Sequence, residues 1–540
     1  MKVLIIGGVA AGTKTAAKLK RQMQDAEVTI VTKDKNISYA GCGLPYYVGN
    51  VIKEKEALIV NTPEKFADLT GVKVITETEV KKVDPRMKKV EAVNALGAVA
   101  YEYDKLVIAT GASPVKPPIK GIDLDGVFCM RTPDDAFDIK DYIKANQCQR
   151  AVVIGGGFIG LEVAENLRRM DLKVTVIDMA DQVMPGFSRD FADYFADHLS
   201  GLGIKVMTGR KVEGIEGTDK PEKVLTDKKG AKADIVVLSI GIRANTAFLE
   251  GSGVELMPNR TVKVNEFMET SVKDIYAVGD CVTVWNRYTK QSQWSPMGST
   301  ANMEGRVCAK NLAGSKTVYE GVLGTAVCHL PGMNIGKTGF TEETAKAAGF
   351  DPVSVTIVTD DKAHYYPGAG TFIIKVIADK DSRKFLGVEV LGSGAVDKVV
   401  DVGVTALTLK GDIDSLDNMD MAYAPPFSTA IHPFVLAIQI LKNKMDGTME
   451  SITPKEFADG VCAGYKIIDA SITPAIEGAA YVDPSTVHGI LPEFGTDEKL
   501  LLVCTKGKRA YLLQNKLRYY GYRKTKVLES GTTFNGVDIK

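Results

Sequence analysis

Cys42 stands alone in Ile37-Ser-Tyr-Ala-Gly-Cys42-Gly-Leu-Pro-Tyr-Tyr47, where a short apolar helix start presents it. No second cysteine lies nearby in the sequence: position 47, five residues on, is Tyr, and the next cysteine is Cys129. One thiol must therefore carry the redox chemistry, so its oxidised form must hold a partner sulfur or an oxygen. The attacking species is the thiolate, and the helix start is expected to be one of two contributions that lower the Cys42 pKa. A second cysteine with chemistry in its surroundings is Cys504, in Leu500-Leu-Leu-Val503-Cys504-Thr-Lys506-Gly507-Lys508-Arg509. There a strand gives way to a loop and then a helical run, so backbone N–H groups and three cations are expected around the sulfur. The other six cysteines (129, 148, 281, 308, 328 and 462) lack glycine loops or basic surroundings and read as small buried hydrophobes. With no Cys-x-x-Cys pair, the eight fit a reducing compartment, and no metal site suggests itself.

Two strand-turn-helix units supply the framework. The second, Val152-Val-Ile-Gly155-Gly-Gly157-Phe-Ile-Gly160, satisfies G-x-G-x-x-G after an apolar strand and before the helical pattern Leu161 to Leu167. Gly155 permits the tight turn, Gly157 lets backbone approach a pyrophosphate, and Gly160 lets helix and strand pack closely. The next strand, Lys173 to Ile177, ends at Asp178, whose carboxylate accepts from ribose hydroxyls and would repel a 2′-phosphate. With no Arg in the following five residues, NADH is the expected nucleotide. Taken alone, Asp178 is an ordinary strand-end acid; the fingerprint before it gives the ribose role. The first loop, Gly7-Gly-Val9-Ala-Ala-Gly12, has Val at the middle glycine's place, and Thr32 stands where an acid is expected.

Three further segments support that first loop: Tyr103-Asp-Lys-Leu-Val-Ile-Ala109-Thr110-Gly111, Gly241-Ile-Arg-Ala-Asn245 and Ile275-Tyr-Ala-Val-Gly279-Asp280. With the paired loops they resemble the flavin-dependent pyridine nucleotide-disulfide oxidoreductases over about residues 1 to 445. The resemblance implies FAD held through Gly7, Gly12, Thr110, Gly111 and Asp280, the last on the ribityl chain. Ser38-Tyr-Ala-Gly-Cys42 resembles the Ser-Phe-x-Asn-Cys motif of the coenzyme A disulfide reductase branch, which includes persulfide reductases and NADH oxidases; Gly41 replaces its Asn. Tyr423-Ala-Pro-Pro-Phe427 and His364-Tyr365-Tyr366-Pro-Gly are similar to segments whose tyrosines reach the other subunit's cysteine, which implies a homodimer. The branch's lysine is Ile431 here, followed by His432-Pro433. That pair resembles the two-cysteine reductases, in which such a His is the acid/base, so His432 is expected to protonate a leaving thiolate, against the reading of a structural His at an element start. Lys14, Lys18 and Arg21 form one basic stripe on the helix after the first loop. The resemblance puts a coenzyme A nucleotide over that helix, near Ser38.

After about residue 445 the character changes. The tail resembles a rhodanese domain, whose Cys-x-x-Gly-x-Arg loop carries a persulfide and matches Cys504 to Arg509. Ser471 replaces the Arg of its Asp-Val-Arg strand end, and its Glu-Phe-x-x-Gly-His stretch is missing. The expected fold is α/β: an FAD domain from 1–112 and 244–320, an NAD domain at 113–243, an α+β dimerisation domain at 321–445 and a rhodanese-like domain at 450–540. A chain of 540 residues is long enough for about three to five domains. With 67 basic and 67 acidic residues, no global field draws it to nucleic acid or an anionic membrane. The N-terminal strand leaves no room for a signal peptide and no apolar run reaches about 18 residues, so a cytoplasmic chain is expected.

The implied function is reduction of persulfides, polysulfides or small disulfides such as coenzyme A disulfide. NADH bound on Gly155, Gly157 and Gly160 passes hydride to FAD, reduced flavin restores the Cys42 thiolate, and Tyr365, Tyr423 or His432 protonates the leaving group. Cys504 is then a sulfur donor or relay. Two alternatives stand beside this: an NADH oxidase or peroxidase cycling Cys42 through sulfenic acid, and a flavin-linked redox sensor or sulfur carrier.

Overall fold

A computed structural model describes residues 1–537, so the last residues of the expected 450–540 domain lie outside the described residues. The chain divides into two compact units: Met1–Val183 with Leu199–Val322, and Met184–His198 with the residues from Leu323 onward.

The first unit holds two five-stranded sheets. One runs in the order Ile275–Ala277, Lys105–Ile108, Lys2–Ile6, Glu27–Val31, Lys73–Ile75, all parallel, with Val3 beside both Val28 and Lys105. The other runs Lys205–Met207, Lys173–Ile177, Arg150–Ile154, Ile235–Leu238, Val127–Cys129, again all parallel. Their central strands are unbroken apolar runs because helices and loops cover both faces; Val3 to Ile6 and Ala151 to Ile154 are buried throughout. In each sheet the strand feeding a glycine turn lies in the middle and strand order reverses at it, which opens a crevice at its carboxyl end. The helix Ala10–Gln22 packs on Gly298–Leu312, an approach that only a glycine at 305 allows: a Cβ there would lie 2.7 Å from the Ala11 carbonyl oxygen.

The second unit is built on an antiparallel sheet in the order Ala326–Leu330, Met333–Gly339, Phe385–Gly392, Thr371–Asp379, Pro352–Asp360, backed by the helices Val396–Thr408 and Pro433–Met445. Met184–His198 groups with this sheet and not with the 113–243 stretch in which the sequence places it. The reason is a buried polar anchor: Lys375 pairs with Asp190 at 2.7 Å, and the Ser188 N–H donates to Glu389 at 2.7 Å. The tail forms a parallel sheet in the order Ser451–Ile452, Thr525–Leu528, Leu500–Val503, Lys466–Asp469, Ala480–Tyr481. Buried Glu529 ties it to the antiparallel sheet by accepting from the Thr356 N–H (2.8 Å), Lys444 (2.7 Å) and Ser451 (2.6 Å). Removing one partner of such a buried cluster costs about 3 to 5 kcal/mol.

Candidate active site

The two glycine loops share one geometry. Gly7 and Gly155 have φ of +111° and +113°, and a Cβ on either would lie within 2.2 Å of a neighbouring strand's carbonyl oxygen. Gly12 and Gly160 abut the carbonyls of Gly7 and Gly155, at 1.9 and 2.0 Å from a built Cβ. Gly157 differs: nothing lies within 4 Å of its Cβ position, so its open side is space that a phosphate group can enter. The helices that follow, Ala10–Gln22 and Phe158–Arg169, have neither a side-chain cap nor an acidic residue in the first turn. Their first N–H groups are left for an anion, so these residues fit dinucleotides at both loops. Asp178 accepts from the N–H groups of Gly156 (2.5 Å) and Ala180 (2.7 Å), which fixes its carboxylate at the end of its strand.

Thr110 and Gly111 are clamped to Asn245. The Thr110 hydroxyl donates to the Asn245 carbonyl at 2.7 Å, the Asn245 amide donates back to the Thr110 carbonyl at 2.9 Å, and the Asn245 N–H reaches Gly111. Asp280 is paired with Arg131 at 2.8 Å, and the Trp294 indole donates to the Asp280 carbonyl. Arg131 was not singled out from sequence; its only mark there is a lone cation just past a strand end. Glu304 was missed too. It is buried, accepts from the Gly279 N–H at 2.6 Å, and is pushed up to about 8 by burial.

Cys42 is exposed, on the 3-10 turn Gly41–Gly43 that leads into the five-residue helix Leu44–Val48. Tyr47, at the second-thiol position, is buried, with Lys140 3.9 Å over its ring. A lowered Cys42 pKa is expected from the helix start together with a stacked flavin; the protein's own groups act the other way. Although its surface is open, the protein packed around it withdraws hydration and pushes the thiol up; Glu162 and Asp280 add to this, and Arg131 opposes it. A five-residue helix offers too small a dipole to reverse that balance. Gly41 faces open space, with only the Tyr39 ring at 4.0 Å.

Lys14, Arg21 and Ser38 line one cleft of about 300 Å³, together with Tyr39, Phe66 and Asn302. Lys18, on the same helix, is half-buried, its pKa lowered first by desolvation and then by Arg306, Arg21 and Lys310. Among the described residues, none of these five cations has a carboxylate at salt-bridge distance. Asn302, Arg306 and Lys310 fall at i, i+4 and i+8 on Gly298–Leu312, a spacing from which the sequence offers the second half of the basic cluster.

In the second unit, the hydroxyls of Tyr365 and Tyr423 lie 3.5 Å apart and both rings are exposed. His432 is corrected from acid to cap. It is buried, its Nδ1 accepts the Phe434 N–H at 3.2 Å to start Pro433–Met445, and burial, then Lys398, lowers it to about 4. A group neutral throughout the neutral range has no proton to give a thiolate. The surroundings of Cys504 are corrected as well. Cys504 is buried, and the Ala510 N–H points at its sulfur from 3.4 Å. Lys506, however, pairs with Asp360 at 2.7 Å, and Arg509 is held by Asp483 (2.9 Å) and the Ala470 carbonyl (2.8 Å). Two of the three expected cations therefore serve other groups.

Among the described residues, no helix is long and apolar enough to cross a membrane and no cluster of His, Cys, Asp and Glu has a metal-binding arrangement. Residues 1–301 match the family model for pyridine nucleotide-disulphide oxidoreductase, and residues 325–434 match the dimerisation domain of that family. The chain belongs to the pyridine nucleotide-disulphide oxidoreductase family. Members are FAD-dependent oxidoreductases, in accord with the α/β architecture and the paired glycine loops. A protein of Methanocaldococcus jannaschii named NADH oxidase is 37% identical, over 82% of this chain and 99% of its own length. Among solved structures, a NAD-dependent persulfide reductase from A. fulgidus is 36% identical with a TM-score of 0.94, covering 99% of this chain and 100% of its own. The reduced CoADR-RHD of Bacillus anthracis is 31% identical with a TM-score of 0.93, covering 99% of this chain and 97% of its own. The likeness to those two structures thus extends over the tail, beyond the last residue of either family match.

Proposed function

We propose that this chain is an NADH-dependent reductase of sulfane sulfur and low-molecular-weight disulfides, with Cys42 its single redox thiol and coenzyme A species among its substrates. One observation carries the reading. An exposed Cys42, with a buried tyrosine where a second thiol would stand, lies on a segment whose Ser38 and Tyr39 line a cleft with Lys14 and Arg21. Five cations without carboxylate partners suit the phosphates of a nucleotide-bearing thiol. The named relatives, a persulfide reductase and CoADR-RHD, are consistent with it.

FAD and NADH, when bound, supply the two electrons of the reduction. We assign Gly7, Gly12, Thr110, Gly111 and Asp280 to the flavin, and Gly155, Gly157 and Gly160 to the NADH pyrophosphate. We assign Asp178 to the ribose hydroxyls, where its carboxylate would disfavour a 2′-phosphate. The Cys42 thiolate attacks one sulfur of the substrate, forming a new S–S bond as the other half leaves as a thiolate and takes up a proton. Two electrons then break that mixed disulfide, restore Cys42 and release the second thiol. In a homodimer, Tyr365 and Tyr423 are the groups we assign to the leaving thiolate. Phe427 and Ile431, 71% and 49% exposed, supply apolar surface for such an interface. Gly41 leaves room where the branch has Asn, so recognition of the substrate falls on Ser38 and the cations. We assign the tail a rhodanese-like role in which Cys504 receives sulfur. Its place at the carboxyl end of a central parallel strand supports this, although the loop must open to expose it.

Anaerobic NADH oxidation with polysulfide, coenzyme A disulfide and oxidised glutathione tests the reading. Faster turnover with the first two is expected. Equal turnover with glutathione contradicts the coenzyme A assignment, and turnover only once oxygen is admitted replaces the reading with that of the relative named NADH oxidase.

A further inference from the structure

Glu304 is a buried acid with no part in the steps above. It lies on Gly298–Leu312, just before the glycine at 305 that lets this helix approach Ala10–Gln22, and it is 1% exposed. Among the described residues no cation stands at salt-bridge distance from it, and its hydrogen bond is accepted from the Gly279 N–H at 2.6 Å. Burying a carboxyl group without a cation is costly, so an apolar side chain of the same length would suit a purely structural place better.

What Glu304 holds is the turn that carries Asp280. Gly279 is buried at φ +83°, and a Cβ on it would lie 2.9 Å from that of Ala11, so the turn is wedged against the helix after the first glycine loop. The Gly279 carbonyl accepts from the Val282 N–H at 2.9 Å, and the Asp280 carbonyl accepts from the Trp294 indole at 2.9 Å. Among the described residues, Glu304 alone engages the Gly279 N–H. The geometry points to Glu304 as a positioning residue: by fixing the Gly279–Asp280 turn, it sets the Asp280 carboxylate where the ribityl hydroxyls of FAD are read. Burial pushes the Glu304 carboxyl up to about 8, with the Gly279 N–H opposing the rise and Asp280 adding to it. At pH 7 the group is therefore mostly the neutral acid, whose carbonyl oxygen takes the N–H without adding a second negative charge to that of Asp280. Without this acceptor a buried N–H is left unpaired, and the turn relieves it only by moving. The inference rests on the assignment of Asp280 to the flavin and is independent of the electron acceptor.

The test is the Kd for FAD of the flavin-loaded full chain, read from the free-flavin fluorescence that appears on serial dilution at pH 7. Glu304→Met, which keeps the length and removes the acceptor, is expected to raise that Kd about tenfold or more. Glu304→Gln, which offers the N–H a neutral acceptor of the same reach, is expected to stay within about threefold of the wild type. The urea midpoint of each variant at saturating FAD is measured beside it, because a merely structural role would lower that midpoint and leave the Kd alone. A Glu304→Met protein that binds FAD as the wild type does, or a Glu304→Gln protein as weak as Glu304→Met, overturns the inference. Should the methionine variant fail to fold, Glu304→Ala is read in its place against the same two outcomes. Asp280→Asn separates the failures. A raised Kd there beside an unchanged one in Glu304→Met overturns this inference alone, whereas an unchanged Kd in Asp280→Asn overturns the flavin assignment and the inference with it.

Discussion

Gly157 and Gly160 stand three residues apart in one loop, and the structure predicts opposite consequences for the same substitution. At Gly157 the backbone is extended (φ −81°, ψ −175°) and a Cβ meets nothing within 4 Å, so alanine fits the folded chain without strain. Reduced freedom in the unfolded chain then makes Gly157→Ala neutral or stabilising by about 0.4 to 1 kcal/mol. The added methyl, however, occupies the space assigned to the NADH pyrophosphate. Losing one charge-assisted contact there, worth about 1.5 to 3 kcal/mol, raises the KM for NADH roughly ten- to a hundredfold. At Gly160 a Cβ would lie 2.0 Å from the Gly155 carbonyl oxygen. The helix must shift, and Gly160→Ala is expected to destabilise by about 1 to 3 kcal/mol. Urea denaturation and steady-state kinetics on the two variants, with FAD content measured in each, decide the matter. A Gly157→Ala protein with unchanged KM for NADH, or one destabilised as much as Gly160→Ala, refutes the reasoning.

Three other outcomes follow from the site. His432, lowered to about 4 from 6.5, binds its proton more weakly folded than unfolded, so stability is complete above pH 6.5 and is lost as pH falls toward 4. That loss is at most about 3 kcal/mol, and His432→Asn, which can still cap the helix, should flatten it; equal falls in the urea midpoint of both proteins between pH 7 and 4.5 contradict this. Lys18→Ala and Arg306→Ala should each raise the KM for coenzyme A disulfide about tenfold and leave that for polysulfide unchanged; a parallel rise for both acceptors removes the phosphate assignment. Cys504→Ser should lower turnover with a rhodanese sulfur donor while sparing small disulfides, and equal loss or no loss on both sinks the relay.

The α/β framework is legible in the sequence because its determinants are local. A strand, a glycine at positive φ and a glycine that must abut it fall within eleven residues, 2–12 and 150–160, so spacing alone announces the loop. What the sequence leaves unread depends on distant partners. His432-Pro433 is visible as a motif, but the burial that removes its proton comes from the packed helix. The cations after Cys504 are visible as a cluster, but Asp360 and Asp483, which engage two of them, come from other strands and loops. The raised Cys42 thiol follows the same logic: Glu162 meets that helix through Tyr46, 116 residues back along the chain. The basic stripe of Lys14, Lys18 and Arg21 is periodic on its own helix, whereas Arg306 and Lys310 join it only because Gly305 lets a second helix approach.

The central claim is that Cys42 alone carries the redox chemistry with sulfur substrates. The most direct measurement is anaerobic incubation of the reduced protein with coenzyme A disulfide, followed by peptide mass spectrometry before and after NADH. A coenzyme A mixed disulfide on Cys42, absent from the other cysteines and discharged by NADH, is predicted. An adduct elsewhere that NADH discharges, or a Cys42 modified only as sulfenic acid once oxygen is admitted, contradicts the account.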